Sequence, residues 1–280
     1  MEERSVNIIV LNWNQKDLSL KCISSLEKTT YKNKHIVFVD NGSNDGSSES
    51  VQRQHPGVEI VELENNFGYA GGNNLGFNSI RNKSKYTIFL NNDTYVDPCF
   101  IEPLIDELES NSLSIQSVPK IFYAKESDRV WYAGGSISFI LSQIRHIGIR
   151  SNNSEKYNKR LRVDYATGCC FCIRSDDFVK FGMFDENYKM YCEDVDLSLK
   201  IRKNGGQIVY IPNSKVWHHV SMSLGGVSSF SKWRKKQLSF LKLILEHGNI
   251  LFFPISIVFY VINALLSFLF IGILKITKKK

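Results

Sequence analysis

Along roughly the first hundred residues, short apolar runs alternate with segments of helical period. Residues 6–11 are β-branched and apolar and are closed by Asn12-Trp13-Asn14, the pattern of a buried strand running into a polar loop. Residues 18–26 place Leu18, Cys22 and Leu26 four apart, which predicts a helix with one buried stripe. A second apolar run, 35–39, leads into the turn sequence Asp40-Asn41-Gly42-Ser43. Residues 47–54 suit a helix, 58–63 a third strand and 87–90 a fourth, which ends in Asn91-Asn92-Asp93. Strand and helix in alternation predict an α/β fold, a mostly parallel sheet with helices on both faces. Ligands bind such sheets beyond the carboxyl ends of the strands, and here those ends carry Asn12, Asp40 and Asn91 to Asp93.

The pattern then loosens. Residues 112–164 show no clear period and include a basic, polar stretch from Arg145 to Arg162. Helical spacing resumes at 176–181, at 194–202 and over 231–245, without internal repeats or low-complexity linkers. Residues 250–274 carry no charge; about 20 apolar residues suffice to cross a bilayer's hydrocarbon core. This run can be a spanning helix, a hairpin bent around Asn263, or a helix in the interface. Basic residues flank it on both sides, and the positive-inside rule favours keeping both flanks in the cytosol.

Composition narrows the class only a little. With 43% hydrophobic and 22% charged residues the chain is that of a folded protein. A net charge of +7 suits nucleic acid, anionic lipid or a nucleoside diphosphate equally. The basic residues cluster beside the apolar run and not among exposed aromatics, which argues for no nucleic acid partner. The six cysteines read as reduced thiols, and Cys169-Cys170-Phe171-Cys172 lies in an apolar run where thiols act as small hydrophobes. The opening residues have no signal-peptide pattern.

Five motifs carry the chemistry: DNGS at 40–43, NNFGYAGGNNLG at 65–76, LNNDTYVDP at 90–98, YCEDVDLSLKIRKNG at 191–205 and VWHHVSMSLGG at 216–226. In order and spacing they resemble glycosyltransferase family 2, most of all its rhamnosyltransferase-type branch. The resemblance implies a GT-A (Rossmann-like) catalytic domain over 1–226, followed by a basic amphipathic connecting helix at 227–249 and a membrane-associated segment with a basic tail at 250–280. It implies inverting transfer from a nucleotide-sugar donor, such as dTDP-L-rhamnose, to a lipid-linked or cell-surface glycan acceptor. The catalytic domain would face the cytosol, and the apolar segment would hold membrane lipid. A UDP-hexose or UDP-N-acetylhexosamine donor fits the same fold. A non-catalytic, membrane-anchored glycan-binding module is the reading from another class; Asn91 in place of an acid keeps it open, while Glu193-Asp194 and His218 oppose it.

Within that resemblance each position has a role. Asp40 would accept a hydrogen bond from the donor base, since a carboxylate only accepts; it would otherwise cap its own turn. Asn12 lies where the family contacts the nucleobase. Gly68, Gly71, Gly72 and Gly76 would let backbone approach the donor, with Asn73 and Asn74 as polar contacts. Asn91-Asn92-Asp93 stands at the family's Asp-x-Asp position. Asp93 would give a divalent cation, Mg2+ or Mn2+, its one carboxylate, with the donor diphosphate supplying oxygens. Asn91 and Asn92 would then bind donor. Asp194 is the general base and Glu193 its neighbour positioning acceptor or loop; Asp196 reads as a first-turn acid complementing the helix dipole. His218 would complete the metal shell or contact the diphosphate. Ser223 with Gly225-Gly226 matches the family's mobile loop, and Lys232 to Lys236 form a basic cluster near anionic lipid.

Overall fold

The apolar runs of the first hundred residues are parallel strands in the structure, a computed structural model that describes residues 4–188, 190–220 and 230–277. In chain order the elements are β1 (Val6–Asn12), α1 (Lys16–Glu27), β2 (Lys34–Asn41), α2 (Ser47–Gln54), β3 (Glu59–Leu63), α3 (Gly68–Ser79), β4 (Tyr86–Asn91) and β5 (Thr94–Val96). Then follow α4 (Ile101–Ser110), β6 (Ser114–Tyr123), β7 (Glu126–Tyr132), β8 (Gly135–Ser138), β9 (Gln143–His146), β10 (Leu161–Val163), β11 (Cys170–Arg174) and α5 (Ser175–Lys180). The chain closes with α6 (Glu193–Lys203), β12 (Gln207–His218), α7 (Phe230–His247) and α8 (Phe253–Thr277). The Ser223 loop expected from the sequence lies outside the described residues.

One sheet organises the body, in the order β10-β12-β6-β11-β4-β1-β2-β3, with β5 added on β12 and β7 on β6. The chain leaves β1 toward β2 and β3, then returns to β4 on the other side of β1; all these pairings are parallel. The carboxyl ends of β1 and β4 therefore flank a topological switch point, where a crevice opens. Register aligns the polar ends: Asn12 pairs with Asp40, and Leu11 with Asn91. β11 runs antiparallel between β4 and β6, so the second half of the sheet is mixed. The irregular stretch at 112–164 contains the long buried strand β6 and four shorter strands.

Two elements position the site in ways that the sequence pattern hides. β12 carries a register break between Ile211 and Lys215, after which it still pairs with β6. Such bulges re-aim a strand, and here the re-aimed end, Val216 to His218, also pairs with β5. The glycine-rich segment 68–79 is the helix α3, and its glycines answer to packing. A Cβ on Gly72 would sit 2.7 Å from Leu11 Cδ1, and one on Gly76 would sit 2.5 Å from Val39 Cγ2. The missing side chains let α3 lie directly on β1 and β2, which replaces the expected close approach to a ligand at those two positions.

Gly76→Val should therefore destabilise the fold by about 1–3 kcal/mol, the range for overpacking a tight contact. Gly57→Ala is the control, because nothing lies within 4 Å of its added Cβ. Denaturant unfolding of both variants beside the parent measures the difference.

Candidate active site

Asn12 ties the strand ends together. Its side chain is fully buried. Oδ1 accepts from Ser19 Oγ and Asn92 Nδ2, both at 2.9 Å, and Nδ2 donates to Ser43 Oγ at 3.0 Å. Asp40 accepts from the Ser43 N–H at 3.1 Å and from Ser48 Oγ at 2.8 Å. It thus caps its own turn while keeping acceptor capacity, since a carboxylate offers about four lone pairs. Asn92 also donates to Ser19 Oγ at 2.9 Å, so it braces β4 against α1. Asn73 donates to the Tyr69 carbonyl within α3, and Asn74 to the Phe184 carbonyl and to Glu186, each at 2.9 Å. Asn12 and Asn74 thus have protein partners at both ends of the amide, whereas Asn73 and Asn92 are held through Nδ2. Asn41, which the motifs did not single out, holds the 66–68 turn by donating to the Gly68 carbonyl at 3.0 Å and accepting from the Phe67 N–H at 3.0 Å.

Asp93 meets His218. The β5–β12 pairing sets Thr94 opposite His218, which brings His218 Nε2 to 3.1 Å from Asp93 Oδ1, both side chains nearly buried. The His219 N–H donates to the Asp93 carbonyl at 2.8 Å. Trp131 packs edge-on against the His218 ring, with centroids 4.7 Å apart. One carboxylate oxygen and one imidazole nitrogen on a rigid strand pair fit part of the shell of a divalent cation that keeps phosphate oxygens.

The acid pair opens α6. Tyr191 and Cys192 both have φ +70°, and neither is glycine; such residues cost about 1–2 kcal/mol each in the left-handed region. This strain sits immediately before Glu193 and Asp194 and turns them inward. Asp194 Oδ2 accepts from the Gly168 N–H at 2.6 Å, and Oδ1 from the Val195 N–H at 2.8 Å. Burial still raises its pKa, against the pull of those two donors. Glu193 is buried, and its Oε2 has no partner among the described residues. Burial, then the charge of Asp194, pushes it up to about 8. Burial raises both groups, and the Gly168 and Val195 N–H donors oppose that rise at Asp194.

Buried tyrosines line this corner. Tyr69, Tyr132 and Tyr165 all have hydroxyls raised well above the usual value, by burial first and in part by the Asp194 charge. Tyr69 OH donates to the Gly168 carbonyl at 2.5 Å, so Gly168 is fixed on both of its backbone sides. Sequence reasoning missed Gly168; its one signal is a glycine entering the apolar run 169–173. Cys169 lies next to it and takes the Asn91 N–H at 2.9 Å. The charges of Asp93 and Asp194 both raise the Cys169 thiol, so both acids lie near this residue. The thiols of Cys22, Cys169, Cys170 and Cys172 are all pushed up by burial and are inert as nucleophiles at neutral pH.

Asp196 is a first-turn acid of α6, as the sequence indicated. It is fully buried and meets His247 Nε2 and Lys200 Nζ, each at 2.7 Å. Alongside, Lys242 reaches Asp185 at 2.6 Å, Tyr188 OH donates to Glu246 at 2.8 Å, and Ser239 Oγ to the Met190 carbonyl at 2.8 Å. These contacts lock α7, expected as a connector, onto the catalytic body. Asp196, Glu246 and His247 lie close enough to share one ion, but the Lys200 ammonium already sits at Asp196, so the group is an ion-pair lock.

The family model for glycosyl transferase family 2 matches residues 7–182. An N-acetylglucosaminyl-diphospho-decaprenol L-rhamnosyltransferase of Mycobacterium tuberculosis is 26% identical over 221 residues, 72% of each chain. The rhamnosyltransferase WbbL of Escherichia coli is 24% identical over 223 residues, 76% of this chain and 83% of that one. Among solved structures, GalNAc-T7 with UDP, GalNAc and Mn2+ superposes with a TM-score of 0.63 at 18% identity. That match covers 76% of this chain and 43% of the other. TarS of S. aureus gives 0.57 at 14% identity, over 86% of this chain and 40% of the other. The shared architecture is the GT-A fold.

A raised Glu193 pKa links stability to pH. The folded state binds this proton more tightly than the unfolded chain, so the stability it contributes is complete below the ordinary glutamate value. It is lost as pH rises toward about 8. Glu193→Gln, which stays neutral, should flatten the fall in stability between pH 5.5 and 8, as chemical denaturation at several pH values will read.

Proposed function

From the premise that the chain belongs to glycosyl transferase family 2, we propose that it transfers a sugar, L-rhamnose, from a nucleoside diphosphate to a hydroxyl of a lipid-linked glycan, with inversion. The observation that supports this most is the pairing of two corners near Cys169: Asp93 beside His218, and Glu193-Asp194. A binding module has no use for two adjacent carboxyls turned inward at the start of a helix. The named activity of the mycobacterial relative, which acts on a diphospho-decaprenol acceptor, favours a polyprenyl-diphosphate glycan here. A UDP-hexose or UDP-N-acetylhexosamine remains the alternative donor.

Each residue has a task. Asp40 and the polar strand ends around Asn91 receive the nucleoside. Asp93 and His218 would hold Mg2+ or Mn2+, which when bound supplies positive charge to the leaving diphosphate. Asp194 takes the proton of the attacking hydroxyl, in a reaction that exchanges one C–O bond for another at the anomeric carbon. Glu193, neutral and with an open oxygen, positions the acceptor beside it. The buried tyrosines keep water from competing with the acceptor. Attachment to membrane lipid through Ile250–Ile271, of mean hydropathy 2.2 and 6% buried, keeps this site on the cytosolic face near its acceptor.

The direct test is incubation of the purified full-length protein with a panel of nucleotide sugars and a polyprenyl-diphosphate acceptor, scoring product and released nucleotide. Transfer from dTDP-L-rhamnose is expected; turnover of UDP-sugars alone would move the reading to the alternative donor, and none with any donor would sink it.

Asp194→Asn should lower turnover by roughly 100- to 10,000-fold, the usual worth of a general base, with nucleoside-diphosphate binding nearly unchanged in calorimetry. Glu193→Gln should act mainly on acceptor KM; normal turnover by Asp194→Asn with a dead Glu193→Gln would reverse the two roles.

Asp93→Ala should abolish metal-dependent donor binding while leaving the melting transition intact. Full activity of that variant in the presence of chelator would refute the metal role.

A further inference from the structure

α8 wears its polarity reversed. Ser256, Tyr260, Asn263 and Ser267 recur at helical spacing on one stripe, and that stripe faces protein. Ser142 Oγ donates to the Ser256 carbonyl at 2.6 Å, Tyr260 OH to the Gln237 carbonyl at 3.1 Å, and Trp233 Nε1 to Ser267 Oγ at 2.8 Å. Asn263 Nδ2 donates to the carbonyls of Leu141 and Ser142 at 2.9 and 3.1 Å. The other stripe, Ile255, Val258, Ile262, Leu265 and Leu269, is 44–61% exposed. A helix in water turns its apolar stripe inward; this one turns it out, as a lipid-facing helix does.

Its neighbours fix its orientation. α7 lies antiparallel beside α8, Trp233 against Phe268 and Phe240 against Tyr260. α7 exposes Arg234 and Lys235 and is locked to the catalytic body by the Asp196–His247 and Asp185–Lys242 pairs. The β8–β9 turn, bonded to Asn263, exposes Ile140 and Leu141. Were α8 to stand across the bilayer, α7 and this turn would be drawn into the hydrocarbon with their charges and open loop backbone, which the hydrocarbon excludes.

We propose that α8, α7 and the 139–142 turn form an in-plane seat on an anionic bilayer, entering one leaflet without crossing it. Arg234 and Lys235 sit among the headgroups, and Ile140, Leu141 and the outward stripe of α8 sit just beneath them. This rests on the membrane attachment proposed above and adds its geometry. The seat also reaches both corners of the site. The β9 residue His146 packs on Trp131 with centroids 4.4 Å apart, Trp131 packs on His218, and α7 bonds to α6 through Asp196. A lipid-linked acceptor would meet the acids from the leaflet itself.

The test uses full-length protein with a C-terminal tag, bound to the outside of sealed phosphatidylcholine vesicles with and without phosphatidylglycerol. Binding should favour the anionic vesicles, and Arg234→Gln with Lys235→Gln should weaken it roughly 30-fold, at the usual worth of a basic residue near an anionic surface. Added protease should remove the tag without detergent. Fluorophores on Leu141→Cys and Leu265→Cys, in a Cys99→Ser background, should both be quenched by shallow bromolipids. A protected tag, or Leu265 quenched only from the bilayer centre, would overturn the in-plane seat and leave attachment standing. Failure to bind any vesicle would overturn both, and a dimer that buries the labelled positions in solution would assign the surface to a second copy of the chain.

Discussion

A buried amide must find partners for both its oxygen and its nitrogen, and in this chain that demand falls on Asn12. Fully enclosed at the end of β1, it draws Ser19 from α1, Ser43 from the turn after β2, and Asn92 from the loop after β4 onto one side chain. One helix and two loops thus meet at the carboxyl end of β1. With Asn92 held there, Asp93 emerges beside it toward β12, and with the Ser43 turn held, Asp40 keeps its carboxylate at the mouth. In a low-dielectric site such a network is rigid when complete and costly when broken. The position of the Asp93–His218 corner is thus inherited from a network of buried side chains.

The opposite corner works by the same economy of water. Glu193 is buried and Asp194 half-buried beside it, and backbone N–H groups from Gly168 and Val195 hold the Asp194 carboxylate. The left-handed pair Tyr191-Cys192 supplies the direction, at a cost in backbone energy that the packed surroundings sustain. Desolvation therefore does at Glu193 and Asp194 what hydrogen bonding does at Asn12: it fixes a single arrangement before substrate arrives.

The parallel half of the sheet was legible in the sequence, because each strand there is a local apolar run closed by polar residues, as at Asp40 and Asn91. The mixed half was not. β6 buries Ser114, Gln116, Ser117 and Lys120 and contains Pro119, so it shows neither alternation nor a continuous apolar run. Several of its polar side chains find partners outside the strand, such as Leu104 for Ser117 and Asn158 for Lys120, which no local pattern can announce. The glycines of α3 suggested close approach to a ligand; instead Gly72 and Gly76 let the helix pack directly on Leu11 and Val39. At the site, residue types were legible and their partners were not: Asn12, Asn73, Asn74 and Asn92 were visible as polar residues in the right places, but whether they face a ligand or the protein depends on contacts up to 112 positions away, as between Asn74 and Glu186. Asp196 is the clearest case, since only the return of α7 explains its burial.

That return also decides where the chain can be cut. Hydropathy alone would trim the protein before its apolar run, at Glu246 or earlier, to obtain a soluble fragment. Such a cut discards His247 and leaves the fully buried Asp196, three residues from the acid pair, with Lys200 as its only ionic partner among the described residues. A fragment ending after Gly248 keeps the pair and still sheds the apolar helix α8. The natural end of the catalytic unit is drawn by one imidazole, well past the last motif that a family comparison would recognise.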